Sequence, residues 1–145
     1  MTPQITVLIP CRDEERNIQS CIEAARLVAD EILIADSGSI DRTLEIVKGQ
    51  KDVRLIERTF VGYADFKNWA IPQATHPWVL IVDADERVTL SLAEEIRGLL
   101  ESTPEEIDAY WIYRRNFFLG HEIKFSGWNT DDVCRLIRRD RCRYG

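Results

Sequence analysis

"HPWVLIVDADERV", residues 76–88, places five consecutive apolar residues, Trp78 to Val82, directly before Asp83-Ala84-Asp85-Glu86. A strand with no polar alternation has no face to give to water. It therefore reads as covered on both sides, as strands of parallel sheets are when helices flank them. Its end raises a question, because neighbouring carboxylates repel unless a cation or polar ligand offsets them. In extended backbone, residues i and i+2 share a face, so Asp83 and Asp85 are expected to aim together, with small Ala84 allowing close approach of a ligand. Glu86 falls on the other face and is expected to pair with Arg87 or to cap the following turn.

The same pattern recurs on either side. Ile5 to Ile9 is a β-branched apolar run stopped by Pro10, and Ile32 to Ala35 is a second buried strand. Val53 to Ile56 is a third strand, Ala109 to Tyr113 a fifth, and Leu136-Ile137 part of a sixth. Between them lie helical stripes. Apolar residues recur at Ile18, Cys21, Ile22, Ala25, Val28 and Ala29, and a short helix over 41–48 is closed by Gly49. A helix over 64–74 bends or ends near Pro72. Ser91 with Glu94 reads as a capping box for a helix carrying Leu92, Ile96, Leu99 and Leu100. Strands alternating with helices predict an α/β fold: one mostly parallel, Rossmann-like sheet with helices on both faces. Residues 115–132, with Gly120 and Gly127, have weak periodicity and read as a functional loop or lid.

At 145 residues and 45% hydrophobic content, the chain suits one domain, residues 1–145, with a single core. The net charge of −6 argues against nucleic acid as a partner. That charge is uneven. Residues 135–145 hold Arg135, Arg138, Arg139, Arg141 and Arg143 against Asp140, a net of +4. This end reads as a solubilising tail, a phosphate site, or a patch for peripheral contact with an anionic membrane. Cys11, Cys21, Cys134 and Cys142 form no C-x-x-C pair and have no histidines at zinc spacing, so reduced thiols in a cytoplasmic protein are expected. No signal peptide or span-length apolar run is visible, and no feature specifies an oligomeric state.

Ligands of such folds bind at the carboxyl ends of the parallel strands. Three acidic stretches fall there: Cys11-Arg12-Asp13-Glu14-Glu15, Asp36-Ser37-Gly38-Ser39 and Asp83-Ala84-Asp85-Glu86. Their hard oxygen donors suit Mg2+ or Mn2+, and so sparse a ligand set leaves coordination positions for diphosphate oxygens. P-loop, dinucleotide-binding and hydrolase-elbow motifs are absent.

In this order, "ITVLIPCRDEERNI" (5–18), "ILIADSGSIDRT" (32–43), "GYADFKNWAI" (62–71) and "VLIVDADERV" (79–88) resemble the motifs of family 2 glycosyltransferases, which have the GT-A fold. "RRNFFLG" (114–120) and "GWNTDDVCRLIRR" (127–139) are similar to the subgroup of lipopolysaccharide core β-glucosyltransferases. The resemblance implies an inverting transfer of a sugar from a nucleotide-diphospho-sugar, UDP-linked by family expectation, to a hydroxyl of a glycolipid or glycan acceptor. It implies a cytoplasmic enzyme, at most peripheral at the inner face of the membrane. By position it assigns Pro10, Arg12, Glu14 and Asp36 to the nucleoside, Lys67 to the base or diphosphate, Asp83 to ribose or metal, and Asp85 to the divalent metal. It assigns Asp131 as catalytic base, with Asp132 as the alternative, and Arg138 and Arg139 to the diphosphate or an anionic acceptor. Arg12-Asp13 departs from the family's commoner aromatic or lysine followed by asparagine. Family members usually continue about a hundred residues past the point where this chain stops, so an incomplete domain is expected. Two alternatives compete: a nucleotidyltransferase, disfavoured by the lack of glycine after the first strand, and a non-catalytic fragment that binds a nucleotide or a protein partner.

Overall fold

The structure, a computed structural model, describes residues 2–114, 117–118, 121–122 and 131–145, and side chains outside 113–134. Among the described residues six strands form one sheet in the order β3-β2-β1-β4-β8-β5. They are β1 (Ile5–Cys11), β2 (Glu31–Asp36), β3 (Val53–Glu57), β4 (Trp78–Ile81), β5 (Ala109–Arg114) and β8 (Asp131–Arg138). β3, β2, β1 and β4 are parallel, and β8 pairs antiparallel with both β4 and β5. The sheet is thus mixed, with one strand reversed. β6 (Phe117–Phe118) and β7 (His121–Glu122) pair separately, the last two residues of the expected lid begin β8, and 115–116, 119–120 and 123–130 lie outside the described residues.

Strand alternation sorts the core into two layers. Ile5, Val7, Ile9 and Cys11 of β1 face helices α1 (Ile18–Ala25), α2 (Thr43–Lys48) and α4 (Leu90–Glu101), joined there by Ile32, Ile34, Trp78, Leu80 and Leu136. On the opposite face Leu8, Leu33, Val79, Ile81 and Ile137 meet Phe66 and Ala70 of α3 (Tyr63–Ala70) and Ile71 of the short 3-10 turn that follows. The expected bend at Pro72 is this 3-10 turn. The expected capping box is not used. Thr89 caps α4 instead, its hydroxyl accepting from Leu92 N at 3.1 Å, so the helix starts one residue before Ser91. No helix among the described residues is long and apolar enough to cross a membrane.

The amino ends of the strands are tied through Glu31. Its carboxylate accepts from Thr6 Oγ1 (2.8 Å), Thr75 N (2.9 Å) and Thr75 Oγ1 (2.6 Å), with Arg54 Nε at 3.4 Å. Burial works against this charge, but the threonine hydrogen bonds and Arg54 outweigh it and hold the Glu31 pKa below the usual carboxylate range. A depressed carboxylate pKa stabilises the fold above the unfolded-state value and ceases to do so as pH falls through the folded value. Glu31→Gln should therefore cost about 1.5–3 kcal/mol at pH 7, the range for hydrogen bonds to charged groups. In urea unfolding monitored by circular dichroism, the gap from wild type should narrow below about pH 4.

Cys11, Cys21 and Cys142 are free thiols. Burial, then the nearby Asp36, pushes the Cys11 pKa up, and burial pushes Cys21 up to about 12. Both should stay unmodified by Ellman's reagent at pH 8 in the native protein and react once the chain is denatured, as peptide mapping of the adducts would read.

Candidate functional site

β1 lies between β2 and β4, and the chain order reverses there: β1 to β3 run outward on one side, then β4 returns to the other. Ligands of open α/β sheets bind at the carboxyl ends of the strands beside such a switch point, here those of β1 and β4. Three loops, after β1, β2 and β4, meet at that rim. Thr6–Leu8 pair in register with Val79–Ile81, and Val82 N donates to Leu8 O, which carries Asp83 up beside Pro10.

The first two loops are laced to each other by side chains. Asp13 adopts φ 52°, the left-handed region that Asn and Asp tolerate better than other non-glycine residues. The aspartate at this position thus keeps the backbone shape that the commoner asparagine would give. Its Oδ1 accepts from Ile40 N at 2.7 Å and Asp41 N at 3.3 Å, while its own N–H donates to Ser39 Oγ at 2.8 Å. Glu14 N donates to Thr43 Oγ1 at 2.8 Å. Asp36, 1% exposed, accepts at Oδ1 from Gly38 N and Ser39 N, both 2.8 Å, and at Oδ2 from Ser39 Oγ and the Cys11 thiol. This turn requires Gly38, whose φ is +117°. The Asp36 carboxylate is spent on its own loop, so it shapes the rim from beneath. Arg12 is exposed above it.

Asp83 to Glu86 form a turn closed by Glu86 N to Asp83 O at 2.9 Å, not the extended backbone expected from the strand reading. The strand ends at Ile81 and the chain curls as soon as helix and sheet packing release it. Ala84 is buried and Asp85 exposed. Glu86 caps the turn that it closes, not the following one, accepting from Asp83 N at 2.8 Å. Its ion-pair partner, however, is Arg135 (2.7 Å), while Arg87 donates to Ala84 O, Glu86 O and Asn17 Oδ1. Arg135 answers the question of repulsion. It reaches from β8 with its side chain only 8% exposed and donates to Ile81 O (3.1 Å), to both Glu86 oxygens and to Asp83 Oδ2 (3.3 Å). The sequence reading placed this arginine in the basic end and in the segment 127–139 without giving it a role. A further signal was its position, on a strand with apolar Leu136 and Ile137 beside it.

Lys67 is half-buried on α3 near the same group. Desolvation lowers its pKa, opposed by Asp83 and Glu86 and aided by Arg135. Its Nζ sits 4.8 Å from the centre of the Tyr144 ring. Asn68 holds that segment by both amide atoms: Nδ2 donates to Tyr144 O at 2.7 Å, and Oδ1 accepts from Tyr144 N at 2.8 Å. The two neighbouring polar residues of the "KNWA" stretch thus divide their work, one facing the acids and one anchoring the chain end.

Pro10, Arg12, Glu14, Asp36, Lys67, Asp83 and Asp85 are brought to one rim. Reversed β8 carries Asp131 and Asp132 to that rim as well, paired with Arg114 and Tyr113 of β5; their side chains lie outside the described residues. Arg138 and Arg139 are not brought there. Arg138 pairs with Trp78 at the start of β4 and lies over its ring at 4.5 Å, and Arg139 donates to Ala74 O and Thr75 O. Five residues of extended chain separate Trp78 from Asp83, roughly 17 Å, so these arginines belong to the opposite end of the sheet. The reason is β8's direction, which sends Asp131 and Arg138 to opposite rims. Four of the five arginines of the basic end are engaged: Arg135, Arg138, Arg139, and Arg141 with Glu105 and Asp108.

Among the described residues no group of three or more His, Cys, Asp or Glu gathers closely enough to hold a metal by itself. Asp85 offers hard, exposed carboxylate oxygens that no described hydrogen bond or ion pair occupies. Such a donor set fits a divalent cation that takes its remaining oxygens from a bound diphosphate.

The family model for glycosyl transferase family 2 matches residues 6–142. The lipopolysaccharide core biosynthesis glycosyltransferase LpsC of Rhizobium meliloti (strain 1021) is 34% identical over 144 residues, 97% of this chain and 53% of that protein. An uncharacterized glycosyltransferase of Rickettsia bellii (strain RML369-C) is 27% identical over 121 residues, 83% of this chain and 40% of its own length. The chain therefore spans about half the length of these relatives. A mannosyltransferase, PcManGT from Pyrobaculum calidifontis, solved with GDP-Man and Mn2+, superposes with TM-score 0.62 at 25% identity over 79% of this chain and 36% of that one. S. aureus TarS 1-349 superposes with TM-score 0.62 over 94% of this chain and 47% of its own, at 17% identity, which speaks for the fold alone. The expected α/β architecture with a GT-A, Rossmann-like sheet holds. With nearly its whole length matched, the chain belongs to glycosyltransferase family 2.

Proposed function

We propose that this chain forms the donor half of an inverting glycosyltransferase. It would move a sugar from a nucleotide-diphospho-sugar, UDP-linked, to a hydroxyl of a glycolipid or glycan acceptor of the lipopolysaccharide core class. The observation that carries the reading is the convergence of three loops on the β1/β4 rim, with Asp85 exposed there and in no described hydrogen bond or ion pair. Family membership and the likeness to LpsC support the reaction and the acceptor class. Mn2+ together with UDP in a glucosyl-3-phosphoglycerate synthase from Mycobacterium tuberculosis, 25% identical with TM-score 0.58, supports the donor class and the metal.

In this reading Pro10, Arg12 and Glu14 border the nucleoside, and Asp36 acts by holding the loop that receives it. Lys67 faces the diphosphate. Asp85 would hold Mg2+ or Mn2+, which offsets the charge that develops on the departing diphosphate, and Asp83 beside it would border the ribose. Asp131, or Asp132 next to it, takes the acceptor proton as the hydroxyl oxygen bonds to the anomeric carbon and the sugar–phosphate bond breaks. Attack opposite the leaving group inverts the configuration. Arg138 and Arg139 have no part, since the sheet separates them from the crevice. The work would take place in the cytoplasm, and any contact with the inner face of the membrane would not run through the engaged arginines.

Calorimetric titration of UDP should give binding that Mn2+ strengthens, and Asp85→Ala should remove that metal-linked gain. Tight binding that ignores metal and survives the substitution would overturn the donor reading. Asp131→Asn should slow release of UDP from the donor sugar by about 100- to 10,000-fold with donor KM unchanged, the range for loss of a general base. If the chain binds UDP yet releases none above a protein-free control, it is a nucleotide-binding fragment without turnover.

A further inference from the structure

We infer that Arg135 is a positioning residue that holds Asp83 away from the metal, leaving Asp85 as the carboxylate of this turn that binds it. The inference rests on the donor-site reading above. Arg135 is nearly enclosed, yet every described hydrogen bond it makes goes to the end of β4: Ile81 O, both oxygens of Glu86, and Asp83 Oδ2. Glu86 Oε1 accepts from Arg135 and from Asp83 N at once. The guanidinium, Glu86 and the Asp83 backbone therefore lock into one unit, and the Asp83 side chain is drawn toward the guanidinium as a further acceptor. Asp85 stands outside this unit, exposed to the crevice.

The charges favour the same division of labour. Asp83 feels both Arg135 and Lys67, so its negative charge is already offset by protein cations. A divalent ion gains less from a carboxylate so paired than from one facing solvent alone, and a buried guanidinium beside it adds repulsion. A planar guanidinium can engage Glu86 through two nitrogens while reaching Asp83, a geometry that a lysine ammonium does not reproduce. The turn is thus set before any metal arrives. Its shape does not depend on the metal drawing two acids together.

Mn2+ affinity, read from the electron paramagnetic resonance signal of free Mn2+ at saturating UDP, tests this without recourse to turnover. Asp83→Asn should leave the Mn2+ dissociation constant within about twofold of wild type, whereas Asp85→Asn should weaken it more than about tenfold. Arg135→Met, checked for folding by circular dichroism, should tighten Mn2+ about fivefold or more by freeing Asp83. That gain should vanish in the Arg135→Met/Asp83→Asn double variant, which a merely structural role would not produce. Equal losses in Asp83→Asn and Asp85→Asn overturn the assignment even if Arg135→Met fails to fold. So does a folded Arg135→Met with wild-type affinity. In both of those cases the donor reading stands, whereas failure of the wild-type protein to bind Mn2+ in the presence of UDP overturns the two together.

Discussion

Strand β4 is buried along its length, and its carboxyl end meets a side chain that crosses from the neighbouring strand. Arg135 binds the last strand carbonyl and the two acids that follow, so the apolar run can pass into a charged turn without leaving carboxylates uncompensated. Removing Arg135 would take away a cation that offsets both acids. Asp83, Glu86 and the nearby Lys67 gather around that contact. β8 can supply it because it runs against β4. A parallel strand in the same place would bring its other end to the crevice.

The remaining walls of the site are built differently. The loops after β1 and β2 hold each other through Asp13, Ser39, Asp41 and Thr43, with Asp36 anchoring the second loop from below. Here side chains serve as substitute backbone partners for short segments that have no ladder of their own. The crevice is therefore preorganised on both sides, by an ion pair on one and by side-chain caps on the other. That leaves Arg12 and Asp85 directed outward, which suits binding of a charged, flexible donor at low ordering cost.

Much of this was legible in the residues. The four parallel strands, the helical stripes and the rim to which the acids belong follow from apolar runs and their spacing, because burial on two faces leaves no other arrangement. The exceptions have separate physical causes. The α4 cap went to Thr89 instead of Ser91 because a single hydroxyl donor–acceptor choice is decided by where the chain leaves the turn. Asp36 reads as a ligand-facing acid, but its short side chain meets the N–H groups of its own loop first. Arg135, Arg138 and Arg139 look alike in a basic run, yet strand alternation and direction send one to the crevice and two to the far end.

By itself, the sequence determined the layering of the sheet, the identity of the three rim loops and the family to which they belong. These depend on local periodicity and on motif order, which are one-dimensional properties. Tertiary structure alone decided which acid stays free, which cation neutralises the others, and which arginines face the crevice. Those outcomes turn on the reversed direction of β8 and on contacts between residues some fifty positions apart, such as Arg135 with Asp83, separated by 52 residues in the chain. A pairing across that distance exists only once the strands have taken their order, so no local pattern can encode it.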